Sequence, residues 1–167
     1  MLLQDSQFTV IHNQLKTTPL LPWSIVGKLL WDLDTEIFND IEKVAKRKGW
    51  HFKYFIDGFS HFKGYSIVLV DHQLKICAAS SNIKKMTGYE AKEMIGMTPR
   101  ILQGDHTDQH VRDLMRHAIE AEVPFHSRVL NYRKDGTPYG CEIHAFPIYD
   151  DQDQLAHYIG FEKEYMV

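Results

Sequence analysis

Cys141 and His144 have the residue types of a thiol nucleophile and its base, and His106 and His110 stand at the i, i+4 spacing with which a helix presents two metal ligands. Neither pattern leads to a site. Cys141 to His144 is an i, i+3 step, which on a strand sends the two side chains to opposite faces. No glutamate follows His106, and Thr107 with Asp108 is better used as the cap and first turn of a helix. No catalytic residue and no metal ligand is therefore expected. The segment Gly96-Met97-Thr98-Pro99-Arg100-Ile101-Leu102-Gln103-Gly104 sits between two predicted helices.

The elements around that segment are legible from periodicity and punctuation. Ser66–Asp71 reads as a strand, a turn falls at Gln73 or Leu74, and Lys75–Ala79 reads as the second strand of a hairpin. Short helices follow over Asn82–Thr87, stopped by Gly88, and over Tyr89–Ile95, stopped by Gly96. A longer helix carries Val111, Leu114, Met115, Ala118 and Ile119 on one face and ends before Pro124. Three strands close the domain, Phe125–Arg133, Pro138–Tyr149 and Leu155–Lys163, joined by turns at Lys134-Asp135-Gly136 and Asp150–Asp153. Two strands, several helices and three strands predict an α+β domain: a five-stranded antiparallel sheet with helices on one face.

Residues 1–64 have a different texture. Ile25, Val26, Leu29, Leu30 and Leu33 recur at helical spacing after Pro19 and Pro22, with Ser24 or a neighbour as a cap. A second amphipathic helix is predicted from Asp34 to Lys48, with Ile37, Phe38, Ile41, Val44 and Ala45 apolar, basic residues in the last turn and Gly49 as the stop. An aromatic-dense link then holds Trp50, Phe52, Tyr54, Phe55, Phe59 and Phe62. The domain boundaries read 1–64 for a helical N-terminal extension and 65–167 for the α+β domain.

Composition narrows the function. Hydrophobic residues at 44% and charged residues at 25% are globular values, and no apolar run is long enough to span a bilayer. The first residues lack the basic-then-apolar order of a secretory signal, and Cys77 and Cys141 form no metal or disulfide spacing, so a cytoplasmic protein is expected. The formal charge of −3 is spread along the chain, with neither a basic stripe for nucleic acid nor a polybasic cluster for anionic lipid.

Gly96–Gly104, together with Met86-Thr87-Gly88-Tyr89, Glu93-Met94-Ile95-Gly96 and Asn131-Tyr132-Arg133-Lys134-Asp135-Gly136, resembles the light-oxygen-voltage (LOV) branch of the PAS domain family, over roughly residues 65–164. The resemblance implies a PAS fold with flavin mononucleotide between helices and sheet. It puts Arg100 and Arg116 on the phosphate, where guanidinium groups clamp bidentately, and Gln103 and Thr98 on the ribityl chain, Thr98 standing for an asparagine. It puts Asn131, Cys141 and Glu162 at the ring edge, the last two in place of an asparagine and a glutamine. A thiol is a feeble donor and an ionised carboxylate only accepts, so these two changes disfavour flavin. Pro99 stands where the family carries its reactive cysteine, so the cysteinyl adduct cannot form. Haem ligation by His117, a use of histidine in other branches, is left open.

Glu93 and Lys134 match a surface ion pair of the family. The resulting reading is a noncatalytic sensory or interaction module, working as a homodimer or with a signalling partner protein. Its ligand is unknown. A cysteine-less flavin photoreceptor or redox sensor is the alternative.

Overall fold

The computed structural model describes residues 8–10, 21–22, 42–53, 62 and 64–166. The predicted helix over 25–33 and the first part of the one from Asp34 lie outside these residues. Among the described residues the strands are β1 (Phe8–Val10), β2 (Leu21–Pro22), β3 (His51–Phe52), β4 (Ser66–Asp71), β5 (Ile76–Ala79), β6 (Phe125–Tyr132), β7 (Pro138–Tyr149) and β8 (Leu155–Tyr165). The helices are α1 (Ile83–Thr87), α2 (Ala91–Met94), a 3-10 turn at Pro99–Leu102, and α3 (Gln109–Glu120).

The main path of the sheet runs β1-β6-β7-β8-β4-β5 with every neighbour antiparallel, as short turns require of the hairpin pairs β4–β5, β6–β7 and β7–β8. Five of these strands are those the sequence predicts. The expected count of five is corrected to eight among the described residues: β2 pairs with β3 and β3 with β7 off this path, and Phe8–Val10 pairs with Ser127–Phe125 at the edge of β6, where the Phe8 ring stacks on Phe125 at 5.6 Å. A three-residue strand carries almost no local signal, so only an unpaired sheet edge selects it. The remainder of that edge is covered by the loop before α3. There Thr107 Oγ1 donates to the Leu130 carbonyl at 2.8 Å and accepts from Gly104 N–H at 2.9 Å. Thr107 thus ties loop to strand, and the cap itself is Asp108, whose carboxylate accepts from the His110 and Val111 N–H groups.

Alternation along the strands sorts side chains onto two faces. Val68, Val70, Val129, Cys141, Ala145 and Tyr158 face the helices and pack with Ile83, Met86, Met94, Leu102, Val111 and Ala118. Ile67, Leu69, Phe146, Ile148, Ile159 and Phe161 form the opposite face, covered by Ala45, Trp50, Phe52 and Phe62 of the chain's own extension. Burial on both sides explains why β4 is a continuous apolar run instead of an alternating one. Residues 42–47 are helical with Ala45 fully buried, so this part of the amphipathic extension covers its own sheet. The extension is not helical throughout: β1, β2 and β3 belong to it, and β3 joins β7 through His51 and Tyr149.

Two glycines are dictated by geometry. Gly88 ends α1 at φ 77°, the left-handed conformation, and its N–H reaches Lys84 O. At Gly104 an added Cβ would meet Cδ2 and Cε2 of Tyr132 at 2.5 Å, and that ring is anchored by its hydroxyl to His106. Gly104→Ala is expected to destabilise the fold by about 1–3 kcal/mol through this overlap, read as a lower denaturant midpoint. An unchanged midpoint would show that the Tyr132 ring yields freely. Asp71 closes the β4–β5 turn by accepting from the Gln73 and Lys75 N–H groups, with Leu74 at positive φ.

Candidate ligand cavity

A cavity of about 620 Å³ lies between the inner sheet face and the layer formed by the 3-10 turn and α3. This is the size range of small-molecule sites. Its floor is apolar, from Val68, Val70, Leu102, Phe125, Val129 and Ile143. Polar groups enter from three elements. The Thr98–Gln103 segment is fixed by Pro99 at the first position of the 3-10 turn, a place where a missing N–H costs nothing, and by Gln103 N–H donating to Arg100 O. Helix α3 supplies Arg116, and β6 and β8 supply Asn131 and Glu162, each on the inner register of its strand.

Six of the seven residues singled out from the sequence therefore line one cavity: Thr98, Arg100, Gln103, Arg116, Asn131 and Glu162. Cys141 does not. It faces the same layer but is completely buried, and its Sγ ends 3.7 Å from Glu162 Oε2. Burial, reinforced by the Glu162 carboxylate, holds the thiol well above its ordinary range. Glu162 is itself buried, and desolvation pushes its carboxyl up to about 7. It is therefore a group that switches between neutral donor and carboxylate near physiological pH.

Arg112 is a cavity residue that sequence reasoning missed. It follows Asp108 by one helical turn and precedes Arg116 by four positions, so the two guanidinium groups share a face of α3, a spacing that was available to find it. Arg112 Nη1 donates to Gln103 Oε1 at 3.4 Å and Nη2 to Gln109 Oε1, while Nε is buried without a partner. Such an orphan donor on a guanidinium is costly unless an acceptor arrives. Arg116 pairs with Asp113 at 3.3 Å and Glu120 at 3.7 Å and is half exposed, and Arg100 is exposed. Three cationic groups thus stand along one side of the cavity, opposite Asn131 and Glu162.

The other sequence candidates fall elsewhere. His106 is bonded to Tyr132, and His117 is exposed on α3 outside the cavity lining. Cys141 and His144 lie on opposite sheet faces, as their spacing predicts. Lys134 Nζ meets Glu93 Oε1 at 2.6 Å on the surface, where solvent screening leaves such a pair little weight. No helix among the described residues is long and apolar enough to cross a membrane.

The fold and cavity define a PAS module of the LOV-like kind. The PAS domain family model matches residues 64–164, and the chain belongs to that family. It is 39% identical over 89 residues to phototropin-1A of Oryza sativa subsp. japonica, which covers 53% of this chain and 10% of the phototropin. A blue-light photoreceptor of Listeria innocua is 35% identical over 101 residues, covering 59% of this chain and 40% of the relative. The chain therefore spans well under half the length of these relatives. Among solved structures, the light state of the blue-light photoreceptor Aureochrome1 LOV superposes with a TM-score of 0.59 at 27% identity, over 66% of this chain and 89% of that one. An Erythrobacter litoralis LOV domain, 23% identical with a TM-score of 0.58 over 62% of this chain and 98% of that one, shares the fold.

Proposed function

We propose that this chain is a noncatalytic sensory module that reports occupancy of its cavity by an anionic small molecule to a second copy or a partner protein. The observation that carries this reading is the lining of one cavity by three guanidinium-bearing residues, Arg100, Arg112 and Arg116. An anion in the cavity has three guanidinium groups within its walls to pair with.

Flavin mononucleotide, the ligand of the resembling branch, fits this donor set when Glu162 is protonated. Arg100, Arg112 and Arg116 would hold its phosphate, Thr98 and Gln103 its ribityl chain, and Asn131 with the Glu162 carboxyl its ring edge. When bound, a flavin supplies blue-light absorption and reversible electron uptake. Pro99 offers no thiol, and the Cys141 thiol is held protonated against Glu162, so a thiol adduct is no part of the reading. Signal output would run through the sheet to the cover formed by Trp50, Phe52 and Phe62, which makes the extension of residues 1–64 the transmitting part and residues 65–167 the sensing part. A cytoplasmic setting suits two cysteines that are both free.

The test is the visible absorption spectrum of the purified full chain after incubation with excess flavin mononucleotide and removal of what stays unbound. A retained, structured blue-region band is expected at pH 6. A colourless protein at that pH would overturn flavin as the ligand.

A further inference from the structure

The sheet face opposite the cavity carries a cluster that the sensory reading does not use. His126 on β6 and His144 on β7 are direct cross-strand partners, and Glu142 lies two residues before His144, so all three side chains project from the same face. Their ligand atoms all lie within 4.8 Å of one another. His126 Nε2 is 3.1 Å from Glu142 Oε1, and His144 Nε2 is 4.0 Å from Glu142 Oε2. A tetrahedral zinc ion bound at about 2.0–2.2 Å separates its ligands by roughly 3.3–3.5 Å, so the observed distances bracket what the ion needs. All three groups are partly buried.

We propose that His126, Glu142 and His144 form a binding site for a borderline divalent transition ion of the zinc class. The surroundings favour preorganisation. The two imidazoles stack at 4.3 Å, and Phe62 and Tyr65 pack against His144 at 5.1 and 6.0 Å, which limits the rotamers of that ligand. Tyr65 hydroxyl donates to Glu142 Oε2 at 3.1 Å and orients the carboxylate. The opposing charges are Arg128, which donates to Glu142 Oε1 at 3.0–3.1 Å, and Lys163, the cross-strand neighbour of Glu142. Arg128 is half exposed and can release the carboxylate to the ion with its guanidinium returned to water. The site sits where the extension meets the sheet, so an ion there would tie Phe62 and Tyr65 to β6 and β7.

The test is competition for Zn²⁺ between the full untagged chain and a chromophoric chelator. One ion per chain is expected. His126→Asn and Glu142→Gln should each weaken it at least roughly tenfold, and His106→Ala, a surface histidine outside the cluster, should leave it unchanged. His126 stacks on His144, so Glu142→Gln serves as the second variant, which removes a ligand and leaves both rings in place. Cobalt in place of zinc should give visible ligand-field bands that His126→Asn alters. Equal affinity in chain and His126→Asn, or a loss as large in His106→Ala, would overturn the proposal.

Discussion

Replacing Arg112 and Arg116 together by glutamine is expected to weaken flavin mononucleotide binding by roughly 100- to 10,000-fold and riboflavin binding by no more than about threefold. The first figure follows from two charge-assisted hydrogen-bond partners at about 1.5–3 kcal/mol each. The second follows from where they stand: the two cations share one side of the cavity, opposite Asn131 and Glu162, so only a ligand carrying an anion on that side uses them. The native partners of Arg116, Asp113 and Glu120, are surface carboxylates whose loss costs little, so the folded state should survive the change. Arg112→Gln alone should carry the larger share, because Arg112 is the less exposed of the two and Arg116 already pairs with Asp113 and Glu120. Titrations with the two flavins side by side make the check. An equal loss for both would mean that the arginines only hold α3 against the Gln103 segment, and no loss for either would remove the anion end from the reading.

Glu162→Gln should flatten two pH profiles at once. The carboxyl is raised by burial from 4.5 to about 7, so the folded chain holds a proton that the unfolded chain has lost. The sign follows directly: this contribution is fully present below about pH 4.5 and is lost as pH rises through 7, amounting to about 3 kcal/mol. His144 and His157 act in the opposite sense, because burial lowers both; their contribution is present above 6.5 and is lost as pH falls. The wild-type profile is therefore a dome. The difference between wild type and Glu162→Gln isolates the carboxyl, with the variant more stable by up to about 3 kcal/mol at pH 8.5 and nearly level at pH 4.5.

Ligand binding should follow the same proton. If only the neutral acid completes the ring-edge contacts, flavin affinity falls roughly 30-fold between pH 6 and pH 8.5, as the competent fraction does, and Glu162→Gln removes that fall. Unfolding curves and flavin titrations across this range measure both. Parallel profiles for wild type and variant would mean that Glu162 stays ionised in the fold.

The sequence by itself determined the order of elements from β4 onward and most of the cavity's polar lining. Gly88 stops α1 through a left-handed conformation that side chains resist, and the two-residue period of a strand puts Phe125, Ser127, Val129 and Asn131 of β6 on one buried face. These are local effects, complete within a few residues. Thr98, Arg100 and Gln103 travel together because one short turn carries them, and the resemblance supplied Arg116, Asn131 and Glu162 across the larger gaps.

The tertiary structure decided what depends on distant groups. Phe8–Val10 becomes a strand only because β6 presents an edge, and Trp50, Phe52 and Phe62 become a cover only because β4, β7 and β8 offer an apolar face. Cys141 leaves the cavity lining because its short side chain ends against Glu162. Glu162 titrates near neutrality because packing removes its water, and desolvation is set by all neighbours together, so no local pattern encodes it. The orphan donor of Arg112 has the same origin: helical spacing gives its direction, but only the assembled layers decide that neither water nor protein reaches Nε.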